Sequence, residues 1–212
     1  MQQSHNAEML RDKVVPWMPH YSALTGTNAD LLPHILDLYV KRGSTIADVT
    51  YGRGVFWQGI DSTQYDFRPS DLLTGVDFLD LPYEDRSIDC LTLDPPYMHG
   101  GKTVHKNIDA CYQNASVTYG HGSIIRLYAG GILEAARVLR KRGVLILKCQ
   151  DETEGNKQRL SHVELIQLVE LFGFEIVDLF VLVSQSMPMM RHKYQKSARK
   201  NHSYALVARF RC

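Results

Sequence analysis

Ile88-Asp89-Cys90-Leu91-Thr92-Leu93-Asp94-Pro95-Pro96-Tyr97 runs from a short apolar strand into a stiff turn, and the architecture is read outward from it. Ile88 to Leu93 is a buried-strand pattern that stops at Asp94. Pro96 holds Pro95 extended, and neither proline has an N–H to occupy nearby acceptors. The turn therefore offers a carboxylate, a free carbonyl and an aromatic plane at a strand's carboxyl end. Upstream, a helix is expected from about Ala29 to Lys41, with Asn28 as N-cap, Pro33 in the first turn and Gly43 beyond its end. Ile46 to Val49 reads as the first core strand, and a weaker strand is expected near Tyr65 to Asp71.

Downstream, Ile125, Tyr128, Ile132, Ala136 and Leu139 share one helical face, and Arg140-Lys141-Arg142-Gly143 is expected to close that helix. Val144 to Lys148 is another buried strand. Ser161 and Glu164 suggest a capping box for a helix to Phe172, with Gly173 as terminator. Glu175 to Val183 and Ser203 to Phe210 complete about seven strands. Apolar strands alternating with amphipathic helices predict an α/β chain with a mostly parallel sheet covered on both faces. Residues 1–212 are expected to form one domain, with 1–19 as an N-terminal extension.

The composition, 44% hydrophobic and 22% charged over 212 residues, is that of a soluble globular chain. No apolar stretch is long enough to span a bilayer, and Met1 to Arg11 is polar, so a cytoplasmic, non-membrane protein is expected. Cys90, Cys111, Cys149 and Cys212 show no paired spacing, and Cys90 and Cys149 sit in apolar runs as small core residues. Ser184 to Cys212 carries seven basic residues and no acid, leaving 17 basic against 23 acidic residues elsewhere. A basic tail on an acidic body fits a polyanionic partner, and equally a solvated loop.

Two further stretches carry chemistry. Asp48-Val49-Thr50-Tyr51-Gly52-Arg53-Gly54 follows a strand and precedes an expected helix; its glycines allow close backbone approach to a ligand. With two glycines it is not a full dinucleotide fingerprint. Asp71, and then Asp77-Phe78, follow at distances that suit a nucleoside cofactor, although each acid also suits a loop cap. Asp94 and the Pro95 carbonyl could accept both hydrogens of an exocyclic NH2 while Tyr97 stacks on the ring. Lys148 ends its strand and suits either a structural or a substrate-side role.

Asp94-Pro95-Pro96-Tyr97 resembles the catalytic motif of the S-adenosylmethionine-dependent DNA amino-methyltransferases, which modify adenine N6 or cytosine N4. Gly52 and Gly54 lie in what resembles their cofactor turn, about 40 residues before Asp94. Arg199-Lys200-Asn201-His202-Ser203-Tyr204 is similar to the segment entering their last strand, and His20 to Gly26 to their remaining cofactor motif. The resemblance covers most of the chain from about His20. It implies a class I, Rossmann-like methyltransferase fold that binds S-adenosylmethionine through Asp48, Thr50, Gly52, Gly54, Asp71, Asp77 and Phe78. It further implies a catalytic role for Asp94, Pro95, Pro96 and Tyr97, with adenine N6 of DNA as the first expectation.

Two departures stand out: Thr50 replaces the usual phenylalanine of the glycine turn, and there is no separate target-recognition domain. Recognition falls to loops 98–122 and 184–202, with Arg191, Lys193, Lys196, Arg199 and Lys200 expected on phosphates. His99, His105 and His121 match no common metal spacing, and no metal is expected. Cytosine-N4 methylation, RNA base methylation, a small-molecule N-methyltransferase and a non-catalytic nucleic-acid-binding module remain the alternatives. A homodimer or a separate specificity partner is open.

Overall fold

The computed structural model describes residues 19–95, 120–184 and 196–211. Its centre is a seven-stranded sheet in the order β1-β8-β9-β5-β4-β2-β3. These strands are β1 (Ala23–Thr25), β2 (Thr45–Asp48), β3 (Asp66–Pro69), β4 (Ile88–Leu93), β5 (Leu139–Cys149), β8 (Phe174–Val183) and β9 (His202–Phe210). Neighbours pair in parallel, except that β9 runs antiparallel to both β5 and β8. A separate hairpin of β6 (Glu152–Glu154) and β7 (Lys157–Arg159) turns through Gly155 and Asn156, both at positive φ.

Helices cover both faces, because side chains alternate along each strand. On one face Leu91, Leu93, Leu145 and Leu147 pack with Ile124, Tyr128 and Ile132 of α2 (His121–Val138) and with Leu165 and Val169 of α3 (Ser161–Leu171). On the other, Ile46, Cys90, Ile146 and Val207 meet Leu31, Leu32, Ile35 and Leu36 of α1 (Asn28–Tyr39), together with Phe56 and Trp57. Cys90 and Cys149 are buried thiols within these layers. Among the described residues no helix is long and apolar enough to cross a membrane.

Several local expectations are corrected. Thr27, not Asn28, caps α1: the Asp30 carboxylate accepts from the Thr27 amide and hydroxyl, each at 2.8 Å. Pro33 consequently lies past the first turn. Arg140 to Gly143 does not close α2; the helix stops at Val138 and these residues open β5, with Arg140 paired to Asp89 at 2.7 Å. The expected box at Ser161 and Glu164 is absent, because Leu160 takes the N-cap position and Glu164 bonds His121 instead. The glycine turn is followed by one 3-10 turn, Val55–Trp57, rather than a longer helix. His121 and Gly122 belong to α2 and His202 to β9, so these residues are not part of the expected recognition loops 98–122 and 184–202. Neither the β1 edge strand nor the β6–β7 hairpin was expected.

Candidate active site

β2, β3, β4 and β5 all deliver their carboxyl ends to one edge of the sheet, where open α/β sheets bind ligands. Backbone bonds lock the loops there: Ser70 N donates to Asp48 O at 2.8 Å, Tyr51 N to Ser70 O at 3.1 Å, and Val49 N to Thr92 O at 3.2 Å. The antiparallel β9 starts at this edge, and so does the chain leaving β8.

Asp48 ends β2 almost fully buried and organises the glycine turn. Its carboxylate accepts from Trp57 Nε1 at 2.6 Å and from Thr50 N at 3.0 Å. Burial pushes its pKa up to about 6 against those hydrogen bonds. Gly52 and Gly54 take φ of +54° and +67°, which side chains rarely adopt. A Cβ at Gly54 would lie 2.5 Å from the Tyr51 hydroxyl, whereas at Gly52 it would meet, among the described residues, only Thr50 O at 3.9 Å. Gly54 packs against the Tyr51 ring, whereas at Gly52 the described residues leave the Cβ direction open.

Thr50 joins this turn to the end of β4. Its hydroxyl accepts from Asp94 N at 2.8 Å and donates to Asp48 Oδ1 at 3.4 Å. Asp94 Oδ1 is buried without a hydrogen-bond partner among the described residues, as are Thr92 Oγ1 and Ser70 Oγ. Such orphaned atoms are rare in proteins and mark a place where a partner is missing. Burial pushes the Asp94 carboxyl up to about 7; Lys148 opposes the rise and Asp48 adds to it.

Lys148 is reached through sheet register. Thr92 pairs with Ile146 and Leu93 with Leu147, so the next positions set Asp94 beside Lys148. Lys148 is 1% exposed, and its Nζ donates to Ser203 Oγ of β9. One signal in the sequence pointed to it, a lysine ending the wholly apolar run Val144 to Leu147. The two hydrogen bonds of the Thr50 hydroxyl left no such signal.

The remaining candidates are placed as follows. Asp71 stands just past β3 and caps the turn Leu72–Thr74, accepting from Thr74 N at 3.0 Å through one oxygen. Asp77 is exposed and accepts from Leu79 N at 2.9 Å, while Phe78 is buried against α2. Lys196, Arg199 and Lys200 approach β9 at the same edge; Gln150, just past β5, donates to Lys200 O at 3.4 Å and His202 O at 3.0 Å. Pro95 follows Asp94 and is buried. Pro96, Tyr97, His99, His105, Arg191 and Lys193 lie outside the described residues. His121 is buried between Glu152 and Glu164, at 3.2 and 2.8 Å, a clamp at the start of α2. Among the described residues no cluster of acids, histidines and cysteines could hold a metal.

No family model matches the chain, and no curated protein matches it. Solved structures do. A crystal structure of S-adenosylmethionine-dependent methyltransferases from Methanosarcina mazei superposes with TM-score 0.51 at 12% identity, covering 84% of this chain and 97% of that one. A chain of the complex between the Haloferax volcanii Trm112 methyltransferase activator and its presumed methyltransferase gives TM-score 0.54 at 14% identity, covering 88% and 90%. TrmN from Thermus thermophilus gives 0.50 at 14%, covering 85% of this chain and 48% of TrmN. At these identities the likeness shows the fold: this is the class I, Rossmann-like methyltransferase architecture.

Proposed function

We propose that this chain binds S-adenosylmethionine and transfers its methyl group to the exocyclic amine of a nucleic-acid base, with adenine N6 of DNA as the substrate. The observation that carries the reading is Asp94: a buried carboxylate oxygen without a partner among the described residues, at the carboxyl edge of the sheet, tied through Thr50 to the glycine turn. The residues present fit the cofactor. Gly52 is assigned to backbone access, and Asp71, just past β3 with one oxygen uncommitted to its cap, to the ribose hydroxyls. When bound, S-adenosylmethionine supplies an electrophilic methyl group.

The chain's own residues handle the amine. An exocyclic amine is a weak nucleophile because its lone pair is delocalised into the ring, so it needs orientation more than a strong base. Asp94 and the Pro95 carbonyl accept its two N–H bonds, which favours a localised lone pair. A carboxyl pushed up to about 7 also takes the departing proton more readily than an ordinary aspartate. Tyr97 is assigned to stacking on a base rotated out of the duplex, and Pro96 to holding that turn stiff. Lys196, Arg199 and Lys200, with Arg191 and Lys193, are assigned to phosphates. Replacing Lys196 and Lys200 with alanine should then reduce the slope of log affinity against log salt by roughly 2. An unchanged slope removes the loop from the interface.

The deciding experiment is transfer of labelled methyl to unmethylated duplex DNA, to single-stranded DNA and to RNA, followed by nucleoside analysis. N6-methyladenine from DNA, absent with Asp94→Ala, supports the reading. N4-methylcytosine or labelled RNA keeps the mechanism and moves the substrate. No transfer to any nucleic acid overturns it.

A further inference from the structure

We propose that Lys148, anchored by Ser203, is a positioning residue that keeps the Asp94 carboxylate ionised without occupying it, so that Asp94 meets the amine as an acceptor. The inference rests on the function proposed above. It starts from the parallel register of β4 and β5, which brings Asp94 and Lys148 side by side, on the face of the sheet that carries Cys90, Ile146 and Ala205. Lys148 is buried, and a buried ammonium normally sits in direct contact with a carboxylate. Here no acid lies within ion-pair distance among the described residues; the ammonium donates to the neutral Ser203 hydroxyl, and Asp94 Oδ1 stays without a partner.

That separation has a chemical use. A direct salt bridge would fill the lone pairs Asp94 needs for the substrate. An ammonium held slightly apart supplies the field alone. Among the described residues, Asp48 from β2 and Lys148 from β5 act on Asp94, while Asp94, just past β4, and the adjacent Cys149 act on Lys148. Asp48 opposes ionisation of Asp94, and among those residues Lys148 is the cation favouring it.

The test is a carboxyl-carbon NMR titration of Asp94 in the full chain, run beside the pH dependence of kcat/KM for methyl transfer. In Lys148→Met the Asp94 titration and the acidic limb of the profile should both move up by about one pH unit. Transfer at pH 7 should fall about fivefold for such a shift and recover above pH 8. Lys148→Arg should restore most of the original titration, and Ser203→Ala should shift it in the same direction by less. A loss caused only by altered packing would lower transfer at every pH and leave the titration in place. An Asp94 titration unchanged in Lys148→Met overturns the inference. Should that variant not fold, an unchanged titration in Ser203→Ala and Lys148→Gln overturns it equally. Absence of methyl transfer by the wild-type chain would sink the proposed function, while the titration would still judge the pair.

Discussion

The two ends of the sheet treat their charges in opposite ways. At the amino end Asp89 is fully engaged: Oδ2 accepts from Thr45 N at 2.8 Å and Oδ1 from Arg140 Nη1 at 2.7 Å. Arg137 there donates to Glu134, to Asp85 and to the carbonyls of Leu81 and Tyr83. Arg86 donates to the carbonyls of Ala136 and Leu139 and lies over the Phe210 ring at 4.3 Å. At the carboxyl end Asp94, Thr92 and Ser70 each bury a polar atom without a partner among the described residues. Satisfied charges at one end hold the fold. Unpartnered polar atoms at the other cost stability and, on the function proposed above, await a ligand.

Substitutions at each end can break or sharpen this contrast. Asp94→Ala should lower methyl transfer by about 10³-fold while S-adenosylmethionine binding, read by calorimetry, stays close to wild type. Arg137→Ala should do the reverse: a loss of about 2 kcal/mol in stability by urea unfolding, with kcat unchanged below the unfolding temperature. If Arg137→Ala slows transfer in the folded protein, the division between the ends fails. Thr50→Val keeps the shape but leaves the Asp94 amide without its acceptor. It should cost about 1 kcal/mol and lower kcat/KM by about tenfold.

The smallest effect is one of pH. The folded Asp94 value of about 7 lies above the ordinary 3.8, so its contribution to stability is present below about pH 4 and is lost as pH rises through 7. Asp94→Asn should therefore raise the melting temperature by a few degrees at pH 8 and by less at pH 5. An equal gain at both would mean that Asp94 is not the group titrating.

How much of this was legible beforehand depended on the distance over which each feature is decided. β4 and β8 were read to within a residue, because apolar runs bounded by turns are local signals. The basic run Arg140 to Gly143 read as a helix end because its charges suit one, yet it lies inside β5, as an irregularity between the Leu139 and Val144 pairings with β4, where the Arg140 side chain bonds Asp89. The turn after Gly54 looked like a helix start; Phe56 and Trp57 instead bury against α1 in a single 3-10 turn, with Trp57 reaching back to Asp48. Asp94 was found from its own motif. Lys148 was singled out with its role left open, and Ser203 and the double role of Thr50 were not, because they depend on which strands become neighbours and in what register.

One topological detail bears on how the molecule comes into being. β9 sits between β5 and β8, so the outer pair β1–β8 has no hydrogen-bonded link to the rest of the sheet until His202–Phe210 is in place. A nascent chain on the ribosome can assemble β2 to β5 and their helices early, but it must wait for that late strand to close the sheet. Pairings so distant in sequence fold slowly and leave strand edges bare in the interval. The same late strand carries Ser203 to Lys148. On this account the candidate site matures in the last step of folding, and a chain halted before β9 would be both sticky and inert.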